Sequence, residues 1–190
     1  MAAATNSTSS ILVPAGQTDI ALLKIVRDQL IADLNTAVRN VLGPDQPLIV
    51  RDLTPNDVAP AGAGLFNGRL SNVPILTAQT MTVLYSTPLS NQQAFGIYGY
   101  APLSANPQLD ILQFGQGIAV TYARFGLDGV FADSCETVAY FNGPVFWTPN
   151  QTMTIQGVSN AGLAAAAEQF NLYGLVVEPA GLNIQPVASA

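Results

Sequence analysis

Asp128, Asp133 and Glu136 lie close together in the sequence, with Asp110 one or two strands before them. Two carboxylates at the right separation suffice for glycoside hydrolysis, and a set of carboxylates can hold a calcium ion. Against both, Asp128 belongs to a Leu-Asp-Gly turn signal and the others fall where strands end. They also lack the ordered alternation of oxygen ligands that a dedicated calcium loop requires. The chain contains no histidine, which removes the commonest general base and metal ligand and with them any Ser-His-Asp or Cys-His centre. The single cysteine, Cys135, is followed by Glu136 and has no basic neighbour to favour a thiolate. It reads as a small buried apolar residue. No catalytic residue, metal site, cofactor or small-molecule substrate is expected.

Glycine-rich stretches do not make a nucleotide site. In "GQGIAV", Gly115 and Gly117 are followed by Val120 where a dinucleotide fingerprint needs glycine or alanine, and a strand pattern follows instead of a helix. "AGAGLFNG" has neither the spacing nor the lysine of a phosphate-binding loop, and the only lysine of the chain is Lys24. Asn6-Ser7-Thr8 and Asn150-Gln151-Thr152 fit the glycosylation triplet. The N-terminus lacks a basic segment and a continuous apolar segment, so no secretory signal is expected and the triplets read as chance. No apolar run is long enough to suggest a transmembrane helix.

The charge content is the strongest signal in the composition. Charged residues make up 9% of the 190 positions, six basic and twelve acidic, for a net charge of −6; ordinary domains carry about 25%. A folded chain of this mass exposes roughly 8,700 Å², or about one charge per 480 Å². A standard protein contact covers about 800 Å² per partner, so an average patch of that size holds fewer than two charges. Residues 58–190 are poorer still, and no basic cluster is present to neutralise phosphates, so nucleic acid is not an expected partner. Such a surface suits a protein packed against neighbours.

Residues 1–17 are small, polar and broken by Gly and Pro, and are expected to form a flexible arm. Leu23, Val26, Leu30, Leu34, Ala37 and Val41 make one apolar stripe, with Thr18 or Asp19 as cap and Gly43-Pro44 as stop, which predicts a helix over 19–42. A strand is predicted over 47–53 and a long loop over 54–72, of a length usually reserved for binding or assembly. From 73 to 178, short runs alternate with turn signals. Strands are predicted near 75–86, 94–100, 109–114, 117–125, 135–141, 144–148, 151–158 and 169–178. In "QTMTIQGV", Met153 and Ile155 face one way and Thr152, Thr154 and Gln156 the other. "AGLAAAAEQF" fits either a short helix or a loop. The fold class expected is mainly β: an antiparallel β-sandwich, jelly-roll-like, preceded by one long N-terminal α-helix. The organisation is one domain over 18–182 and a polar tail over 183–190.

Aromatic residues are spread over nearly every strand, and Trp147 is the only tryptophan. It lies in "AYFNGPVFWTPNQTMTIQGV", which has no charged side chain. A sugar-stacking groove, a sandwich core and a subunit seam all fit that stretch. Few polar residues surround Trp147, which favours core or seam over groove. Trp147 joins Ile11, Leu12 and Val13 of the arm and Leu65 and Phe66 of the long loop as candidate assembly contacts.

The "MAAATNSTSS" arm, the Lys-poor Thr/Asn/Gln/Gly strands such as "QTMTIQGVSN" and the closing strand "EQFNLYGLVVEPAG" with its polar tail resemble virion structural proteins of tailed bacteriophages, in particular capsid decoration (cement) or minor head proteins. That resemblance implies a non-enzymatic homo-oligomer, made in the host cytoplasm and carried in the virion. Its partners would be the capsid protein and itself, with no membrane involved. The alternative is a glycan- or host-surface-binding β-sandwich module of a tail fibre or surface appendage.

Overall fold

The computed structural model describes residues 12–54, 76–103, 107–127, 138–164 and 168–181. A short strand β1 (Leu12–Pro14) and a 3-10 turn (Ala15–Gln17) lead into helix α1 (Ile20–Leu42). Asp19 caps α1 by accepting a 2.8 Å hydrogen bond from the Ala21 N–H. Gly43 ends it with φ +97° while its N–H bonds to the Arg39 carbonyl at 2.9 Å, and Pro44 prevents continuation. Eight strands follow: β2 (Leu48–Asp52), β3 (Thr82–Pro88), β4 (Ala94–Pro102), β5 (Ile111–Gln116), β6 (Val120–Gly126), β7 (Ala139–Trp147), β8 (Thr152–Val158) and β9 (Phe170–Pro179).

Among the described residues the fold is mainly β, with two antiparallel sheets and one α-helix, as the sequence leads one to expect. One sheet has the order β1-β7-β4-β9-β2 and the other β3-β8-β5-β6. They face each other across a core to which both contribute: Phe114 and Phe125 from the four-stranded sheet meet Phe141 from the five-stranded one, with ring centroids 5.6 and 4.1 Å apart. Helix α1 covers the other face of the five-stranded sheet, over β4, β7 and β9. There Leu30, Leu34 and Val38 bury themselves against Ala94, Leu175 and Val177. The contact row runs in steps of four residues, so Val38 is buried and Val41 turns outward. β4 and β9 are consequently covered on both faces, and most of their residues are buried.

Trp147 is fully buried, a correction to its expected place at an assembly seam. Its ring lies beside Phe114 and Tyr122, and its indole N–H donates to the Gly115 carbonyl at 2.8 Å. The bond ties β7 to β5 and thus one sheet to the other. A buried indole needs a partner for its N–H, and the carbonyl next to a register shift in β5 supplies it.

Three further expectations change. Within the segment 1–17 expected to be a flexible arm, Leu12, Val13 and Pro14 pair with Phe141, Tyr140 and Ala139 as an edge strand. The strands expected near 135–141 and 144–148 form one strand, β7, with Asn142-Gly143-Pro144 inside it. Ile97 pairs with Val145 but Gly99 pairs with Tyr140, so the tripeptide is taken up where the ladder shifts. Proline, which has no N–H to give, is tolerated at such an interruption. The strand expected from 75 begins at Thr82, preceded by a single bridge between Leu76 and Leu163. Ile11, Leu65 and Phe66, nearly all of the loop over 54–72 and the tail over 183–190 lie outside the described residues.

The helix approaches the sheet over Gly96, where an added Cβ would lie 2.5 Å from Leu30 Cδ1. Leu30→Ala is expected to cost about 2–5 kcal/mol, and Gly96→Ala about 1–3 kcal/mol by overpacking. Urea unfolding of both and of the double variant should show a cost for the pair below the sum, because the new methyl enters the space Leu30 vacates.

Candidate functional site

A bulge in β4 lies beside a surface cleft. Phe95 and Ile97 point into the core between the sheets while Ala94 and Tyr98 face the helix side. Between Ile97 and Gly99 the register shifts against both neighbours, β7 and β9. Beyond the shift Tyr100 is again a core residue, so the extra residue preserves the inward phase. A Cβ on Gly99 would lie 3.0 Å from Tyr140 Cδ1 and 3.3 Å from Tyr173 Cβ. Tyr98, Tyr140 and Tyr173, from three adjacent strands, thus gather around a position with no side chain. Tyr98 and Tyr140 are stacked with centroids 6.3 Å apart.

Beside them opens a cleft of about 320 Å³ lined by Asp52, Leu53, Tyr98 and residues 171–174 of β9. Arg27, on the first half of α1, brings its charge beside Tyr98 and sets Nη2 at 3.6 Å from Asp52 Oδ1. Burial raises the Tyr98 phenol above its ordinary range, partly offset by the Arg27 charge. The Arg27–Asp52 pair is exposed and too long for a hydrogen bond, so it adds little to stability.

β2, the edge strand that carries Asp52, is clamped from inside. Arg51 donates Nε to Glu178 Oε1 at 2.8 Å and Nη2 to Oε2 at 3.2 Å, and Gln93 donates to the same Oε2 at 2.6 Å. Glu178 is 3% exposed, so this is a buried bidentate pair with its remaining lone pair satisfied. It fixes β2 to β9 and thereby the rim of the cleft.

The carboxylates suggested by the sequence do not assemble a centre among the described residues. Asp128, Asp133, Cys135 and Glu136 lie outside them. Asp110 accepts from the Asn160 N–H. A second interior carboxyl, besides Glu178, is Glu168, which is fully buried and accepts from the Gln108 N–H at 2.6 Å. Burial raises its pKa above the usual carboxylate range and Asp110 adds to the rise, while the N–H groups of Gln108 and Leu109 oppose it. Burial also raises the Tyr100 phenol, and Glu168 adds to that shift. With no exposed surface, Glu168 joins the 107–110 segment to the start of β9 and does not meet a substrate. Among the described residues no three Asp, Glu or Cys side chains converge as a metal set.

Of the expected assembly contacts, Leu12 and Val13 lie in β1, with Val13 half-buried. The sequence pointed elsewhere than to the apolar residues the structure exposes most. Ile20, Leu22 and Ile25 on the first turns of α1 are 82%, 55% and 64% exposed, and Ile118 at the β5–β6 turn is 74% exposed. Their exposure depends on where α1 overruns the sheet and where β5 turns back, neither of which residue types specify. Among the described residues, no helix is long and apolar enough to cross a membrane. No protein-family model, curated protein or solved structure matches the chain.

The Glu168 environment has a defined pH signature. Its folded-state pKa is raised, so its contribution to stability is complete below the unfolded value and is lost as pH rises through the folded one. Glu168→Gln is therefore expected to raise the thermal midpoint at pH 7, with the gain vanishing below about pH 4. Melting curves at the two pH values check this, and an equal effect at both would contradict it.

Proposed function

We propose that the chain is a non-enzymatic structural protein of a virion, a jelly-roll subunit that binds capsid protein and copies of itself. The observation that carries the reading is the nesting of its strands. β2 pairs with β9, β3 with β8, β4 with β7, and β5 with β6. First joins last and each next strand joins the next from the end, as in one long hairpin rolled up. The β4–β9 and β5–β8 pairings then divide it into two sheets. This nesting supports the jelly-roll reading, an architecture used by viral shells, lectins and cupins. β1 extends one sheet and α1 backs it.

Within that group the surface favours a shell component. The chain carries 9% charged residues and no histidine, so it lacks the usual imidazole ligands of a metal-dependent jelly roll. Ile20, Leu22 and Ile25 are exposed on the first turns of α1, and Ile118 and Val120 are exposed at and after the β5–β6 turn. Surfaces of this kind can be desolvated without stranding ions, and they mark contact sites. The protein would act in the capsid after synthesis in the host cytoplasm.

Sedimentation velocity of the wild type and of an Ile25→Asp/Ile118→Asp variant tests this. The wild type is expected to form a defined oligomer or to co-sediment with capsids, and the variant to lose that property with unchanged circular dichroism and thermal midpoint. A wild type that stays monomeric and ignores capsids would contradict the reading.

A further inference from the structure

We infer that the tyrosine-lined cleft formed by the end of β2, Tyr98 of β4 and residues 171–174 of β9 binds a neutral pyranose ring. The inference rests on the geometry of the cleft and is independent of the capsid reading. At about 320 Å³ the cleft is at the small end of ligand pockets, which run from about 300 to 1,000 Å³. One sugar ring is a ligand of suitable size.

Its chemistry is divided in the way a sugar is divided. Tyr98 and Tyr173 offer flat apolar rings with polar tips, which suit the C–H face of a pyranose. Of the lining residues, Asp52 accepts only and the Asn171 amide does both, while Arg27, outside the lining but paired with Asp52, donates only; the set can address neighbouring hydroxyls. The 3.6 Å between Arg27 Nη2 and Asp52 Oδ1 is beyond hydrogen-bond length. A hydroxyl can complete that gap, accepting from Arg27 while donating to Asp52. The bulge that leaves Gly99 bare is the kind of sheet irregularity that re-aims side chains beside binding sites.

Other ligand classes fit less well. An anionic group would meet Asp52 and a chain of net charge −6, without the basic groove that phosphate recognition needs. A wholly apolar ligand would strip water from Asp52 and Arg27 and return no hydrogen bonds. The ring hydroxyls of a neutral sugar satisfy both.

Trp147 is buried between the sheets, away from the cleft, so its emission is a silent reporter and NMR is the suitable probe. Saturation-transfer difference spectra are recorded with the methyl glycosides of glucose, galactose, mannose and N-acetylglucosamine, and with amylose, galactan, mannan and chitin. At least one glycoside is expected to receive saturation at its ring C–H protons, with about millimolar affinity. Asp52→Ala and Tyr173→Ala, both at exposed positions, are expected to weaken binding at least tenfold. Binding to glycoside and matching polymer assigns the site to a surface glycan; binding to the glycoside alone assigns it to a free sugar. Both outcomes support the inference. It is overturned if no sugar receives saturation at about 10 mM, or if the same transfer persists in the Asp52→Ala/Tyr173→Ala double variant.

Discussion

Strands β4 and β9 are covered on both faces, and most of the remaining structure follows from that constraint. Phe95, Ile97, Tyr100 and Val176 fill the space between the sheets, while Ala94, Leu175 and Val177 receive α1. A strand buried on both sides cannot alternate apolar with polar residues, and it needs small residues where another element comes close. Gly96 under Leu30 is one such position. The bulge at Tyr98 and Gly99 belongs to the same strand: Ile97 before it and Tyr100 after it both point into the core, and the cleft lies beside Tyr98.

The same constraint decides what was legible in the sequence. Helix α1 could be read because its signals are local: a capping Asp19, apolar residues three and four apart, and Gly43-Pro44. β8 could be read because Met153 and Ile155 go to the core at period two. The sequence misleads at Asn142-Gly143-Pro144, which has every mark of a turn and is tolerated within β7 because the ladder is already interrupted there. Trp147 was ambiguous because its meaning depends on Gly115, 32 positions away. The cleft could not be foreseen, since Arg27, Asp52, Tyr98 and Tyr173 come from four elements brought together by register alone.

The scarcity of charge has two consequences. Inside, a clamped ion pair among the described residues, Arg51 with Glu178, has its carboxylate oxygens satisfied by Arg51 and Gln93 and fastens the edge strand β2. Outside, apolar side chains at the start of α1 and at the β5–β6 turn are left without cover by the chain itself. The proposed assembly gives these groups partners, and the proposed sugar site occupies a different part of the same surface, under Arg27.

Hydrogen exchange followed at low and high protein concentration tests this account most directly, because it reads the doubly covered strands and the uncovered apolar groups together. Amides of β4 and β9 and of the Leu30–Val38 part of α1 are expected to be the slowest at both concentrations, exchanging only with global unfolding. Ile20–Arg27 and the β5–β6 turn are expected to exchange fast when dilute and to gain protection as copies associate. Protection at those two places that is unchanged by concentration and by added capsids, or β4 and β9 amides that exchange ahead of β5 and β6, would contradict it.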